Sequence, residues 1–172
     1  SAILAGMLIG MGGTVYLSQS NPVVGSFLFA IGLYTIVAFQ LHLFTGKIGY
    51  TPFQKPIYII ELAITWFGNL LGTGLTALMV KNSRIGAPLV EKVLGIAQTK
   101  LGDNFLSIFL LAIFCGMLMF IAVDCYRNVQ GSTLKFIGVF EFDAFVLIEI
   151  ACNHFLSSFH CLVMRNFCTP NV

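Results

Sequence analysis

The sequence predicts an all-α integral membrane protein. Apolar residues make up 58% of the 172 residues and charged residues only 9%. Apolar runs of bilayer-crossing length recur along the chain, and short polar or glycine-rich stretches separate them. A soluble domain carries about 25% charged residues, so the charges here are too few to cover a water-facing surface. The length accommodates about five helical spans of ~20 residues with short connections. A net charge of +2 without a basic cluster gives no argument for nucleic acid as a partner. The five cysteines, at positions 115, 125, 152, 161 and 168, show neither CxxC spacing nor a secreted disulfide framework and read as packed membrane thiols. The opening SAILAGMLIG lacks the basic region and cleavage site of a signal peptide. It reads as a span entered directly, with further residues expected before Ser1.

Residues 2–18 form the first expected span. Gly6, Gly10 and Gly13 recur there at helical spacing and give a small-residue face that lets another backbone approach. Residues 18–22 are a turn with Asn21-Pro22 as its breaker. The second span begins at Val23 and has an expected interruption at Leu43-Phe44-Thr45-Gly46-Lys47, with Gln40 and His42 entering just upstream. Backbone freed inside a bilayer must be satisfied by protein or by a water-lined cavity, and broken helices at membrane depth are where small solutes are handled. Phe29 and Leu33, four apart, share one face of this span. With Leu43 and Phe44 they suit apolar constrictions of a pathway, although the same pattern suits lipid-facing or core positions. Lys47, Pro52, Lys55 and Pro56 mark an aqueous loop.

The third span runs from Ile57 to Val80 and contains the tight sequence Gly68-Asn69-Leu70-Leu71-Gly72. The two glycines imply close helix contact, and Asn69 is placed to bond a neighbouring backbone. The charged stretch 81–104 leaves room for a short interfacial helix over Val90–Lys100. Phe105 to Cys125 is the fourth span, with Asp124 at its exit, followed by a polar turn over 127–132.

A fifth span begins over 134–151 and holds Glu141, Asp143 and Glu149. Intramembrane acids suggest function, but three in so short a stretch also suit a helix lying partly in water. The span runs into Cys152-Asn153-His154 and then Ser157-Ser158, with His160 close behind. Each half of the chain thus has a second long span broken by polar residues, which predicts one transmembrane domain over 1–172. Its first repeat covers about 1–80 and its second about 101–172, and paired interruptions of this kind point to a transport site. The scheme requires a sixth span after residue 160, for which only CLVMRNF and a polar tail are present, so the last helix is missing or incomplete. Basic residues are nearly balanced between the two sets of loops and leave the orientation open.

Three short motifs, in this order and separation, resemble the formate/nitrite transporter family of pentameric anion channels, which includes hydrosulfide channels. They are Leu43-Phe44-Thr45, Gly68-Asn69-Leu70-Leu71-Gly72, and Lys100 five residues before Phe105; residues 116–123 (GMLMFIAV) also fit the family's fourth span. The resemblance implies an aquaporin-like inverted repeat with broken second and fifth helices and a homopentamer. It further implies that Thr45 is the loop threonine of the second helix and His154 the central pore histidine of the fifth, with His160 as the fallback. Phe29, Leu33, Leu43 and Phe44 fall at the family's apolar constrictions, and Leu147 stands where an aromatic constriction residue is common. Lys100 corresponds to the basic residue that draws anions to the pore mouth, and Asn69 to the packing asparagine of the third span. The chain departs from the family pattern where Asn153 precedes His154 and Phe155-Leu156-Ser157-Ser158 follow it.

The implied function is a channel or proton-coupled transporter for small monovalent weak-acid anions in a bacterial cytoplasmic (inner) membrane. No cofactor is expected. An unpaired charge at the bilayer centre costs several kcal/mol, and dry apolar rings raise that cost. An imidazole, with an ordinary pKa of ~6.5, offsets it either as a countercharge or by handing its proton to the anion. Two other functions compete. One is a channel for small neutral solutes such as urea, ammonia or water. The other is a membrane thiol or metal enzyme using His154, His160, Cys152 and Cys161, whose spacing fits no zinc motif. No nucleotide-binding loop, redox CxxC or nucleophile elbow is present.

Overall fold

The computed structural model describes residues 1–128, 130–131, 133–135 and 137–139, and only the backbone of 99–101. Six named α-helices carry most of the described chain: α1 (Ala2–Ser18), α2 (Pro22–Ala38), α3 (Phe44–Ile48), α4 (Tyr58–Lys81), α5 (Gly86–Leu101) and α6 (Phe105–Asn128). A single 3₁₀ turn lies at Thr51–Phe53, and no strand occurs among the described residues. Helices α4 and α6, with 24 residues each, are long and apolar enough to cross a bilayer. At 1.5 Å per residue they reach about 36 Å. The 17-residue helices α1 and α2 reach only about 25 Å by the same rise, a little short of a ~30 Å hydrocarbon layer. Beyond α2 the chain continues through an interruption into the short helix α3.

Helices α1 and α4 meet through glycine. A Cβ on Gly72 would stand 2.1 Å from the Ile3 carbonyl oxygen, and one on Gly10 would stand 2.9 Å from Cβ of Thr76. Between lipid-exposed helices there is no hydrophobic gain to drive association, so van der Waals packing of close backbones and interhelical hydrogen bonds carry it. Thr76 supplies one such bond, donating from Oγ1 to the Met7 carbonyl at 3.2 Å. The glycine face is shorter than the spacing predicts. Gly13 faces nothing within 4 Å, whereas Gly12, next to it, lies against the Phe29 ring of α2.

Local signals set the ends of α2. Asn21 caps its start by accepting from the Val23 amide at 2.9 Å, and Pro22 occupies the first turn, where no amide donor is needed. At the other end, the Gln40 amide donates to the Val37 carbonyl at 3.0 Å and the Leu41 amide to the Ile36 carbonyl at 2.9 Å. Gln40 has φ 52°, in the left-handed region. This is a Schellman termination, with Gln where glycine usually stands. Ile36 is buried in the core, and Leu41 packs against that core.

The second helix is thus broken as expected, but further upstream. The interruption is Phe39–Leu43, whereas Thr45 and Gly46 are inside α3. Gly46 serves a different purpose there. A Cβ on it would sit 2.9 Å from Cγ2 of Val123, so its absence lets α3 lie directly on α6. Helix α5 starts at Gly86, ahead of the expected Val90, and is held to α1 by Lys92. The Lys92 ammonium donates to the carbonyls of Leu17 (2.7 Å) and Gln19 (2.8 Å), closing the C-terminal end of α1 with a cation as its dipole favours. Helix α6 begins at Phe105 as expected and runs on to Asn128, so Arg127 and Asn128 belong to the helix and not to the polar turn.

The core follows from this arrangement. Ala5 and Ile9 of α1, Leu33, Ile36 and Val37 of α2, Leu43, and Cys115, Met119, Ala122 and Val123 of α6 form one buried cluster that also includes Val139. A smaller cluster of Leu17, Ala77, Leu89 and Val93 joins α5 to α1 and α4. The outward faces of α4 and α6 keep large apolar side chains exposed, among them Ile64, Phe67 and Leu71, and Phe109, Ile113 and Met117. A lipid environment suits such faces.

Candidate functional site

The site is the interruption of α2 and the first turn of α3. Leu43 is extended (φ −101°, ψ 128°) and leads directly into α3. Its neighbours on both sides are bonded to one side chain. Asn69 of α4, 2% exposed, accepts from the Phe44 amide at 2.8 Å and donates from Nδ2 to the His42 carbonyl at 2.9 Å. The same Nδ2 donates to the Ala2 carbonyl of α1 at 2.8 Å. The first amides of a helix have no intrahelical partner, and inside a bilayer each unsatisfied group costs several kcal/mol. Asn69 therefore satisfies two of the backbone groups at the break, the His42 carbonyl and the Phe44 amide.

Three of the apolar candidates converge. Leu33, fully buried, and Leu43, at 4% exposure, belong to the main core cluster, and Phe29 packs against it. Phe44 is half-buried and is not among the residues of that cluster. Helix α2 and the residue that leads into α3 thus contribute Leu33 and Leu43 to the same buried cluster.

Thr45 stands apart from the other hydroxyls. Thr14, Ser26 and Thr65 each donate back to the carbonyl four residues earlier, as hydroxyls inside apolar helices usually do. Thr45 Oγ1 is buried and has no hydrogen-bond partner among the described residues. Four residues before it lies Leu41, within the interruption, so no preceding helical turn offers it a carbonyl.

The far end of α3 is fixed by polar contacts. Tyr58 donates to the Lys47 carbonyl at 3.0 Å, and Tyr50, in the connection after α3, donates to Asp124 of α6 at 2.5 Å. Asn128 donates to the same carboxylate oxygen at 2.8 Å. The Arg127 guanidinium lies 5.7 Å from the centre of the Tyr50 ring. Burial, and after it the bond to Asp124, push the Tyr50 phenol above its ordinary value.

Lys100 lies in the last turn of α5, far along the sequence from the break. Leu147, His154 and the fallback His160 fall outside the described residues, as do Glu141, Asp143 and Glu149. Among the described residues, no group of three His, Cys, Asp or Glu side chains is placed to hold a metal ion.

The sequence model of one family, described as Formate/nitrite transporter, matches residues 1–170. The chain belongs to the formate/nitrite transporter family. The family is one of transporters, not of enzymes. An uncharacterized transporter of Bacillus subtilis, YrhG, is 31% identical over 140 residues, covering 74% of this chain and 52% of that protein. The chain thus spans about half the length of this curated relative. Among solved structures, a pentameric formate channel with formate bound superposes with a TM-score of 0.76 at 22% identity, over 95% of this chain and 71% of that one. At this identity the likeness establishes the fold: an all-α membrane architecture shared with that channel.

For this formate/nitrite transporter chain, the sequence placed the break itself at Leu43–Lys47, with Thr45 inside it and Leu33 on the helix face upstream. It also identified Asn69 as a polar group seeking backbone, but not which backbone. It missed Gln40 as the residue that ends α2, because the usual marker of such an ending is glycine. The signal present was polarity: Gln40 and His42 are the first polar residues in the run after Thr35.

Proposed function

We propose that the chain forms a channel or proton-coupled transporter for small monovalent weak-acid anions of the formate, nitrite and hydrosulfide class. The observation that carries this reading is that Leu33 and Leu43 share one buried apolar cluster with Phe29 packed against it, an apolar neck in this reading, while the Thr45 hydroxyl just beyond is buried with no partner among the described residues. Phe44, the fourth constriction residue, follows Leu43 at the start of α3. A charged solute crossing such a neck loses its water, at a cost of several kcal/mol. Protonation removes that cost, because a neutral weak acid crosses apolar rings far more readily than its anion.

In this reading His154 of the fifth span is the proton donor, since imidazole changes charge near neutral pH. Thr45 offers a hydroxyl that donates or accepts toward the solute or the ring. Lys100 draws anions toward one mouth, and Leu147 narrows the path from the fifth span. The assembly is a homopentamer in a bacterial cytoplasmic membrane, with lipid on the exposed apolar faces. The pentameric formate channel and the Bacillus subtilis relative support these two points.

The test is formate flux into proteoliposomes under a pH gradient. Replacing His154→Phe should abolish pH-dependent flux while leaving the protein folded. Unchanged flux would overturn the mechanism.

A further inference from the structure

The main-chain groups on either side of Leu43, the His42 carbonyl and the Phe44 amide, are both bonded to the Asn69 carboxamide, at 2.9 and 2.8 Å. Two anchors that flank a residue fix its backbone, and the extended conformation of Leu43 then fixes where its side chain goes. That side chain enters the cluster containing Leu33. Asn69 is itself held. It is buried, its Nδ2 also donates to the Ala2 carbonyl, and its own carbonyl accepts from Thr73 Oγ1 at 3.0 Å. Among the described residues, no other hydrogen bond of residues 42–44 ties this segment to another helix.

We propose that Asn69 is a positioning residue for the pathway, its carboxamide holding Leu43 across the neck and so setting how narrow the neck is. This rests on the transport reading above. Asn69 touches no solute in this role; it acts through Leu43. Losing the carboxamide removes both polar anchors that flank Leu43, and its side chain is then able to shift within the cluster that contains Leu33. The neck widens and admits ions that do not become neutral by taking up a proton.

The test uses the full chain in proteoliposomes, with formate and chloride as probes and amide hydrogen exchange read by mass spectrometry. In Asn69→Leu, exchange of the peptide covering 39–45 should rise at least tenfold, with peptides of α6 unchanged. The formate-to-chloride flux ratio should fall at least tenfold. Leu43→Ala should lower the same ratio without altering exchange over 39–45. Unaltered exchange in Asn69→Leu overturns the proposal, and so does raised exchange with an unaltered ratio. Should Asn69→Leu fail to fold, Leu43→Ala decides, and an unaltered ratio there overturns it. Absence of formate flux in the unsubstituted protein overturns the transport reading, and the positioning role falls with it. The exchange data would still tell whether Asn69 holds the segment.

Discussion

A Cβ placed on Gly6 would lie 2.2 Å from the carbonyl oxygen of Asn69, well inside any permitted contact. The obstacle is backbone, so it cannot turn aside as a flexible side chain would. Gly6→Ala must therefore push α1 off α4, and it strains the bond from Asn69 to the Ala2 carbonyl at the same time. Overpacking of this kind costs about 1–3 kcal/mol and occasionally more; the upper end is expected here. Gly13→Ala is the control. Its Cβ meets nothing within 4 Å, and alanine favours helix over glycine by up to about 1 kcal/mol. Thermal unfolding in detergent should show a clear drop in Tm for Gly6→Ala and none for Gly13→Ala.

The second prediction concerns the end of α2. Gln40 holds φ 52°, a region that costs a residue with a Cβ about 1–2 kcal/mol and glycine almost nothing. Its side chain is exposed, so little packing is lost on removing it. Gln40→Gly should stabilise the protein by up to about 1 kcal/mol. Gln40→Val, with a β-branch that resists this conformation, should destabilise it by about 1–2 kcal/mol. The order of Tm values, Gly above Gln above Val, is the readout. A reversed order would mean that α2 does not end at this residue.

These two positions also separate what was legible in the sequence from what was not. The bounds of α1 and the start of α6 were readable because composition and a clear break decide them. That α2 is interrupted was readable as well, from polar residues entering an apolar run. Where it is interrupted was not, because Gln40 takes a conformation that sequence rules reserve mainly for glycine. Gly46 drew the prediction downstream, yet its purpose is steric and depends on Val123, 77 positions away, a distance no local pattern spans. Asn69 and Lys92 show the same limit. A polar side chain in an apolar helix must find partners, but only the assembled fold tells which carbonyls they are. The glycine stripe of α1 was readable over Gly6 and Gly10, and it ends one turn sooner than its spacing indicates.

Thr45 gives the prediction that best separates a structural role from a transport role. Its buried hydroxyl bonds to nothing among the described residues. An unsatisfied buried hydroxyl is unfavourable by about 1–3 kcal/mol. Thr45→Val keeps the shape and removes the oxygen. If the hydroxyl serves a passing solute, the substitution should leave Tm unchanged or raise it by the equivalent of up to about 1 kcal/mol. Formate flux should meanwhile fall by about tenfold, which corresponds to about 1.4 kcal/mol on the barrier. Thr45→Ser, which retains the hydroxyl, should restore most of the flux. The opposite pattern is equally readable: a fall in stability of more than about 1 kcal/mol would mean that the hydroxyl has a protein partner in the resting state. Thr45 would then belong to the scaffold of the break, and solute contact would have to come from elsewhere along the neck.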